Sequence, residues 1–156
     1  MEFATRSGRS TAPRPHPAET FVRRSLEQLA GLYHFALHQS SDSSTAEDLV
    51  VKTYVRANSR FERIPDGANF KLWIFKVLRN TAVRGRRNGW KKRSEANHEV
   101  DPALARLPET QRLAVVLFVV EDFTCREIAD ILDARPRDVA VWLDTAKRQI
   151  DNEVTQ

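Results

Sequence analysis

At 156 residues with 41% apolar side chains, the chain can form one or two small cores, which excludes a fibrous or wholly disordered protein. A single cysteine, Cys125, excludes an internal disulfide and any cysteine-cluster zinc site, and it suits a reducing cytoplasm. The formal net charge is +4, but nine Lys and Arg and no Asp or Glu lie between Lys71 and Arg93, which leaves the remainder net acidic.

Residues 1–17 are rich in Arg, Ser, Thr and Pro and read as a disordered basic tail. Phe21, Val22, Leu26, Leu29, Leu32, Tyr33, Ala36 and Leu37 then recur at close to helical spacing and predict a first helix. It carries His34 and His38 at i, i+4, but no third ligand accompanies them, so neither a metal nor a cofactor is expected. Ser44-Thr45-Ala46-Glu47 has the form of a capping box. The helix it predicts buries Leu49, Val50, Thr53, Tyr54, Ala57 and Phe61. Pro65-Asp66-Gly67 is a turn signal. Phe70, Trp73, Ile74, Val77, Leu78 and Ala82 form the apolar stripe of a third helix, whose end Gly85 and Gly89 should fray. The basic run lies on this helix.

Polar residues 94–101 read as a linker between a domain over 18–93 and a second over 102–156. Asp101-Pro102 opens a short helix, with Pro at the first helical position. Leu113–Val120 is apolar on every side, which predicts a central buried helix, and it is too short to span a bilayer. Thr124-Cys125-Arg126-Glu127 is a second capping box, followed by inward Ile128, Ala129, Ile131 and Leu132. Asp133 to Arg135 form a turn, and Val139, Trp142, Leu143, Ala146 and Ile150 mark a last helix. The fold class expected is all-α, two small helical domains, with no strand-period segment. No hydrophobic signal core precedes the helices, so a cytoplasmic chain without membrane insertion is expected.

Two features point to nucleic acid. Thr124 to Ile150 has helix-turn-helix proportions, in which the second helix enters the major groove. The acid-free segment places Lys71, Lys76, Arg79, Arg84, Arg86 and Arg87 on one helix, a surface suited to phosphates. Aromatic residues interleave with these cations, but Trp73 lies on the apolar stripe and reads as core. No nucleophile-base arrangement, phosphate-cradling glycine loop or metal cluster suggests an enzyme.

Ala46-Glu47-Asp48-Leu49-Val50, the run Asn69 to Thr81, and Leu107-Pro108-Glu109 with Gln111-Arg112 and Glu127-Ile128-Ala129 together resemble the small extracytoplasmic-function sigma factors of bacterial RNA polymerase. The resemblance covers Leu26 to Ile150. It implies core RNA polymerase, promoter DNA and an anti-sigma factor as partners, with Glu47, Asp48, Lys52 and Arg56 on the polymerase-binding helix. It adds Asn69 and Asn80 to the promoter-melting surface, and Glu62 to Asn69 as a loop that captures a flipped base.

The recognition helix departs from the family pattern. Where the family carries Gly-Thr-Val-Lys-Ser-Arg-Leu, this chain has Arg137-Asp138-Val139-Ala140-Val141-Trp142-Leu143, which removes a hydroxyl and cations. Arg135, Arg137, Lys147 and Arg148 remain at its margins as DNA candidates, and Trp142 is expected to be largely buried. Val51-Lys52 replaces the usual Gln-Glu at the polymerase contact. Such departures also suit a second reading, a sigma-like mimic that acts by binding an anti-sigma factor or another sigma factor.

Overall fold

The computed structural model describes residues 16–40, 42–65, 67–89 and 101–155. Most of the predicted tail and linker, Trp90 and the cations Lys91 to Arg93 lie outside them. The described elements are all helical: α1 (Pro17–Leu37), α2 (Ser43–Arg60), a 3-10 turn (Phe61–Arg63), α3 (Phe70–Arg87), α4 (Pro102–Ala105), α5 (Glu109–Val115), a wide π-turn (Val116–Val120), α6 (Cys125–Leu132) and α7 (Pro136–Val154).

Helices α1, α2 and α3 pack on one another around Leu32, Phe35, Leu49, Ile74, Phe75 and Leu78, all but wholly buried. The Phe35 and Phe75 rings lie 5.6 Å apart, and the Tyr54 hydroxyl donates to Ser25 O at 2.8 Å, tying α2 to α1. The buried line of α1 is Phe21, Ser25, Leu32, Phe35 and Ala36. Val22, Leu26 and Leu29, expected inward, are exposed instead. They lie on a second apolar stripe about 100° round the helix, and Leu26, Leu29 and Tyr33 form an open groove with Val50 and Val51 of α2.

The start of α2 also differs from the sequence reading. Its N-cap is Asp42, not Ser44: the Asp42 carboxylate accepts from Thr45 N at 2.7 Å. A charged acceptor at the positive end of the helix dipole is stronger than a hydroxyl, and the bond from Thr45 N holds the Asp42 carboxyl below its ordinary range. After Pro65, Ala68 N donates to Pro65 O at 3.1 Å in the expected turn, with Gly67 at φ +82°, a conformation glycine adopts without steric cost. Asn69 caps α3 by accepting from Leu72 N at 3.1 Å. Gly85 does not fray this helix; it is a buried helical position, and the chain turns off at Asn88 and Gly89.

The second half packs α5, α6 and α7 around Leu113, Leu117, Ile128 and Val139. The Asp101-Pro102 start and the Thr124/Glu127 capping box both form. The apolar run behaves differently from expectation: Leu113, Ala114, Val116 and Leu117 are buried, while Phe118, Val119 and Val120 are 46%, 66% and 52% exposed. In a single layer of helices only one side of this segment meets the core, and the π-turn swings its last residues outward. The same widening, with Glu121 N donating to Val116 O at 3.3 Å and Phe123 N to Leu117 O at 3.1 Å, sends Glu121 and Phe123 back toward the first half.

The two halves share one continuous apolar core. Phe123, 4% exposed, meets Phe75 edge to face with centroids 5.2 Å apart, and α6 lies against α3. The Arg112 guanidinium, also buried, donates to Leu107 O within its own half and to His38 O across the junction, both at 3.0 Å. No helix among the described residues is long and apolar enough to cross a membrane.

Candidate nucleic-acid interface

The predicted DNA-facing residues of α3 fall into two sets, separated by helical phase. Lys71, Arg79 and Arg86 sit at i, i+8 and i+15 on the side that meets the second half, with Lys76 at its margin. Lys71 Nζ lies 3.2 Å from Glu121 Oε2, donates to Glu121 O at 2.7 Å, and stands 5.0 Å over the Phe123 ring. Lys76 pairs with Asp130 at 3.0 Å. Arg79 pairs with Glu109 at 3.4 Å and donates to Gln39 Oε1 at 2.8 Å, and Arg86 pairs with the same carboxylate and donates to Gln39 O. Asn69, at the head of the helix, donates to Glu127 Oε2 at 3.3 Å.

The electrostatics follow from this enclosure. Burial opposes the charge on Glu109, but hydrogen bonds and charge from Arg86 and Arg79 together outweigh it and hold the carboxyl below the ordinary glutamate range. Burial, joined by the neighbouring Arg86 charge, lowers the Arg79 pKa by more than Glu109 restores, yet an arginine so placed stays protonated. Two guanidinium groups thus clamp one carboxylate between the halves.

Asn80, Arg84 and Arg87, at i, i+4 and i+7, lie on the other side of α3. With Arg56 and Arg60 of α2 they line a cleft of about 510 Å³, closed at one edge by Ile131 to Asp133 of α6. Arg56 donates to Thr81 Oγ1 at 3.3 Å. Arg60, Arg84 and Arg87 are exposed and make no ion pair with any described residue. Beside the head of α3 a second cleft, about 450 Å³, is lined by Arg24, Phe61, Ile64, Pro65 and Ala68, on the loop where the resemblance places base capture.

The remaining candidates lie apart. Glu47, Asp48 and Lys52 are exposed on α2, with Glu47 at the rim of the apolar groove, whereas Arg56 turns toward α3. Arg135, at the N-cap of α7, pairs with Asp138 (3.7 Å), and Arg148 within the helix pairs with Asp144 (2.9 Å), while Arg137 and Lys147 pair with no described residue. Trp142 is half-buried against the core, less enclosed than expected, and Val141 beside it is exposed. Sequence reasoning missed the carboxylates that meet α3 and missed Arg60. The one available signal for the former was the charge imbalance itself, a basic block in an otherwise acidic chain.

Comparison with known proteins accounts for both halves. Residues 20–92 match the family Sigma-70 region 2, and residues 104–153 match the sigma-like domain of the response regulator PhyR. The ECF RNA polymerase sigma factor EcfG of Rhodopseudomonas palustris is 26% identical over 129 residues, covering 68% of this chain and 69% of that protein. SigL, an ECF RNA polymerase sigma factor of Mycobacterium tuberculosis, is 38% identical over 74 residues, 46% of this chain and 42% of SigL. Among solved structures, the sigma factor RpoE of Bartonella quintana, in complex with the anti-sigma factor NepR, superposes with a TM-score of 0.73 at 26% identity. That match covers 88% of this chain and 98% of RpoE. PhyR bound to NepR from the same organism gives 0.59 at 17% identity, over 85% of this chain and 50% of PhyR, and supports the fold alone. Residues 20–92 thus belong to the Sigma-70 region 2 family, and along most of its length the chain is similar to extracytoplasmic-function sigma factors.

Proposed function

We propose that the chain binds core RNA polymerase and directs it to promoters, acting without catalysis of its own, and that α3 is its principal DNA contact. The observation that carries this reading is the convergence of Arg56, Arg60, Arg84 and Arg87 with Asn80 around one open cleft. Guanidinium groups so arranged suit phosphate oxygens. The carboxylates already seated on Lys71, Lys76 and Arg79 occupy places where phosphate oxygens would find the same donors. Glu47, Asp48 and Lys52 beside the α1–α2 groove are the proposed polymerase contact. Run-off transcription with core polymerase and a genomic promoter library tests the reading. Specific transcripts are expected from the wild type and none from Arg84→Glu/Arg87→Glu. Loss of both arginines should also reduce the slope of log affinity against log salt by about two, one for each phosphate contact. An unchanged slope refutes the role of α3.

A second reading draws on the PhyR match over residues 104–153 and on the α7 surface, where Ala140 and Trp142 stand in place of cations and Val141 in place of a hydroxyl. In it the chain acts by engaging an anti-sigma factor, with Arg135, Arg137, Lys147 and Arg148 not reading DNA. Binding of the full chain to upstream-element duplexes at fixed salt separates the two. Preference for one sequence eliminates the pure mimic, and absence of preference together with tight anti-sigma binding supports it.

A further inference from the structure

We infer that the cleft between α2, α3 and α6 binds a nucleoside polyphosphate as a small anionic ligand, a role separate from any contact with DNA. Its volume of about 510 Å³ suits one ligand of that size. Ile131 to Asp133, at the end of α6, wall off one edge, so a duplex is too wide to enter and lies only across the mouth. Arg56, Arg60, Arg84 and Arg87 converge on the cleft, and none of them forms an ion pair with any described residue. Among the described residues the only acid in the lining is Asp133. Cations gathered in this way raise the local potential for an anion.

The lining matches the parts of such a ligand. Thr81 Oγ1 donates to Val77 O at 2.7 Å and accepts from Arg56 Nη1 at 3.3 Å, which fixes one guanidinium at the cleft floor. Arg60, Arg84 and Arg87 are exposed around it. A lone phosphate would engage only part of this set. A chain of two or three phosphates spans it, with paired N–H donors for each group. Val77 and Ile131, 6% and 2% exposed, supply apolar surface for a base to lie against, with Leu132 beside them. Asp133 ends α6 in the left-handed conformation at φ +52°, one that Asp and Asn adopt more readily than other side chains. Its carboxylate repels phosphate and accepts from the hydroxyls of a ribose. The sugar therefore belongs at the α6 edge and the phosphates at the arginines, an arrangement that selects a nucleotide over bare polyphosphate.

Isothermal titration calorimetry on the full chain at fixed salt, with ATP, tripolyphosphate and inorganic phosphate as probes, tests the site. ATP is expected to bind once per chain and more tightly than tripolyphosphate, with inorganic phosphate weakest. Arg60→Gln/Arg84→Gln should weaken ATP by about tenfold for each arginine. Arg63→Gln/Arg126→Gln removes the same charge from exposed arginines outside the cleft and should leave ATP binding unchanged. Asp133→Asn keeps the left-handed turn and should narrow the preference for ATP over tripolyphosphate severalfold. The proposal is overturned if ATP does not bind, if the two arginine pairs cost equal affinity, or if tripolyphosphate binds the wild type as tightly as ATP. Because Arg84 is shared, ATP should also displace a labelled duplex carrying an unpaired bubble, a consequence that rests on the reading of α3 as the DNA contact. If ATP binds as expected and displaces no DNA, that reading fails while the nucleotide site stands.

Discussion

Phe123 offers the most direct test of whether the two halves are joined in solution as described. Its ring is 4% exposed, meets Phe75 of α3 at 5.2 Å and lies under Lys71 Nζ at 5.0 Å. Truncation to alanine removes a buried ring and leaves a cavity, a change that costs about 3–5 kcal/mol in a core. Of that, the edge-to-face pairing contributes about 0.5–1.5 kcal/mol. The cation–π contact adds about 0.5 kcal/mol, the lower end of its range because Lys71 is partly exposed. Phe123→Leu keeps most of the apolar volume and loses only the ring-specific part, so about 1–2 kcal/mol is expected for it. Urea unfolding followed by tryptophan fluorescence and far-ultraviolet circular dichroism measures both. Because Phe123 links the halves, the alanine variant should also unfold in two transitions, where the wild type shows one. Trp73 reports on the first half and Trp142 on the second. A cost below about 1 kcal/mol for Phe123→Ala, with a single unaltered transition, would refute the shared core.

Two further outcomes follow from the same junction. Arg112→Ala removes the guanidinium that bonds the His38 and Leu107 carbonyls, at about 1–3 kcal/mol for each lost buried hydrogen bond, measured by the same unfolding assay. Glu109, with its carboxyl lowered in the folded chain, stabilises the fold at pH above the ordinary glutamate range; that contribution is lost as pH falls through the lowered value. Acidification should therefore weaken the folded chain, and Glu109→Gln should flatten the dependence in an unfolding series run against pH.

The local signals in the sequence proved dependable where one element decides the outcome. The Thr124/Glu127 box, the Asp101-Pro102 start and the turn at Pro65–Ala68 are present as read, and so is the apolar stripe of α3 except that Phe75 is buried where Trp73 is only partly so. Each depends on residues within a few positions of one another, so spacing and side-chain chemistry are sufficient. Competition between neighbouring signals was less legible: Asp42 rather than Ser44 caps α2, because a carboxylate two residues earlier is the better acceptor. In α1 two adjacent apolar stripes satisfied the same period, and only the position of α2 and α3 selected Phe21, Ser25, Leu32 and Phe35 for burial over Val22, Leu26 and Leu29. The basic character of α3 could be read directly, but the state of its charges could not. Lys71 meets Glu121 fifty residues away because Gly31 leaves a gap and a π-turn points into it. Helical periodicity determines which residues share a face of one helix. Which face meets which, and therefore which cations are masked and which remain open to an anion, is decided only when the helices pack.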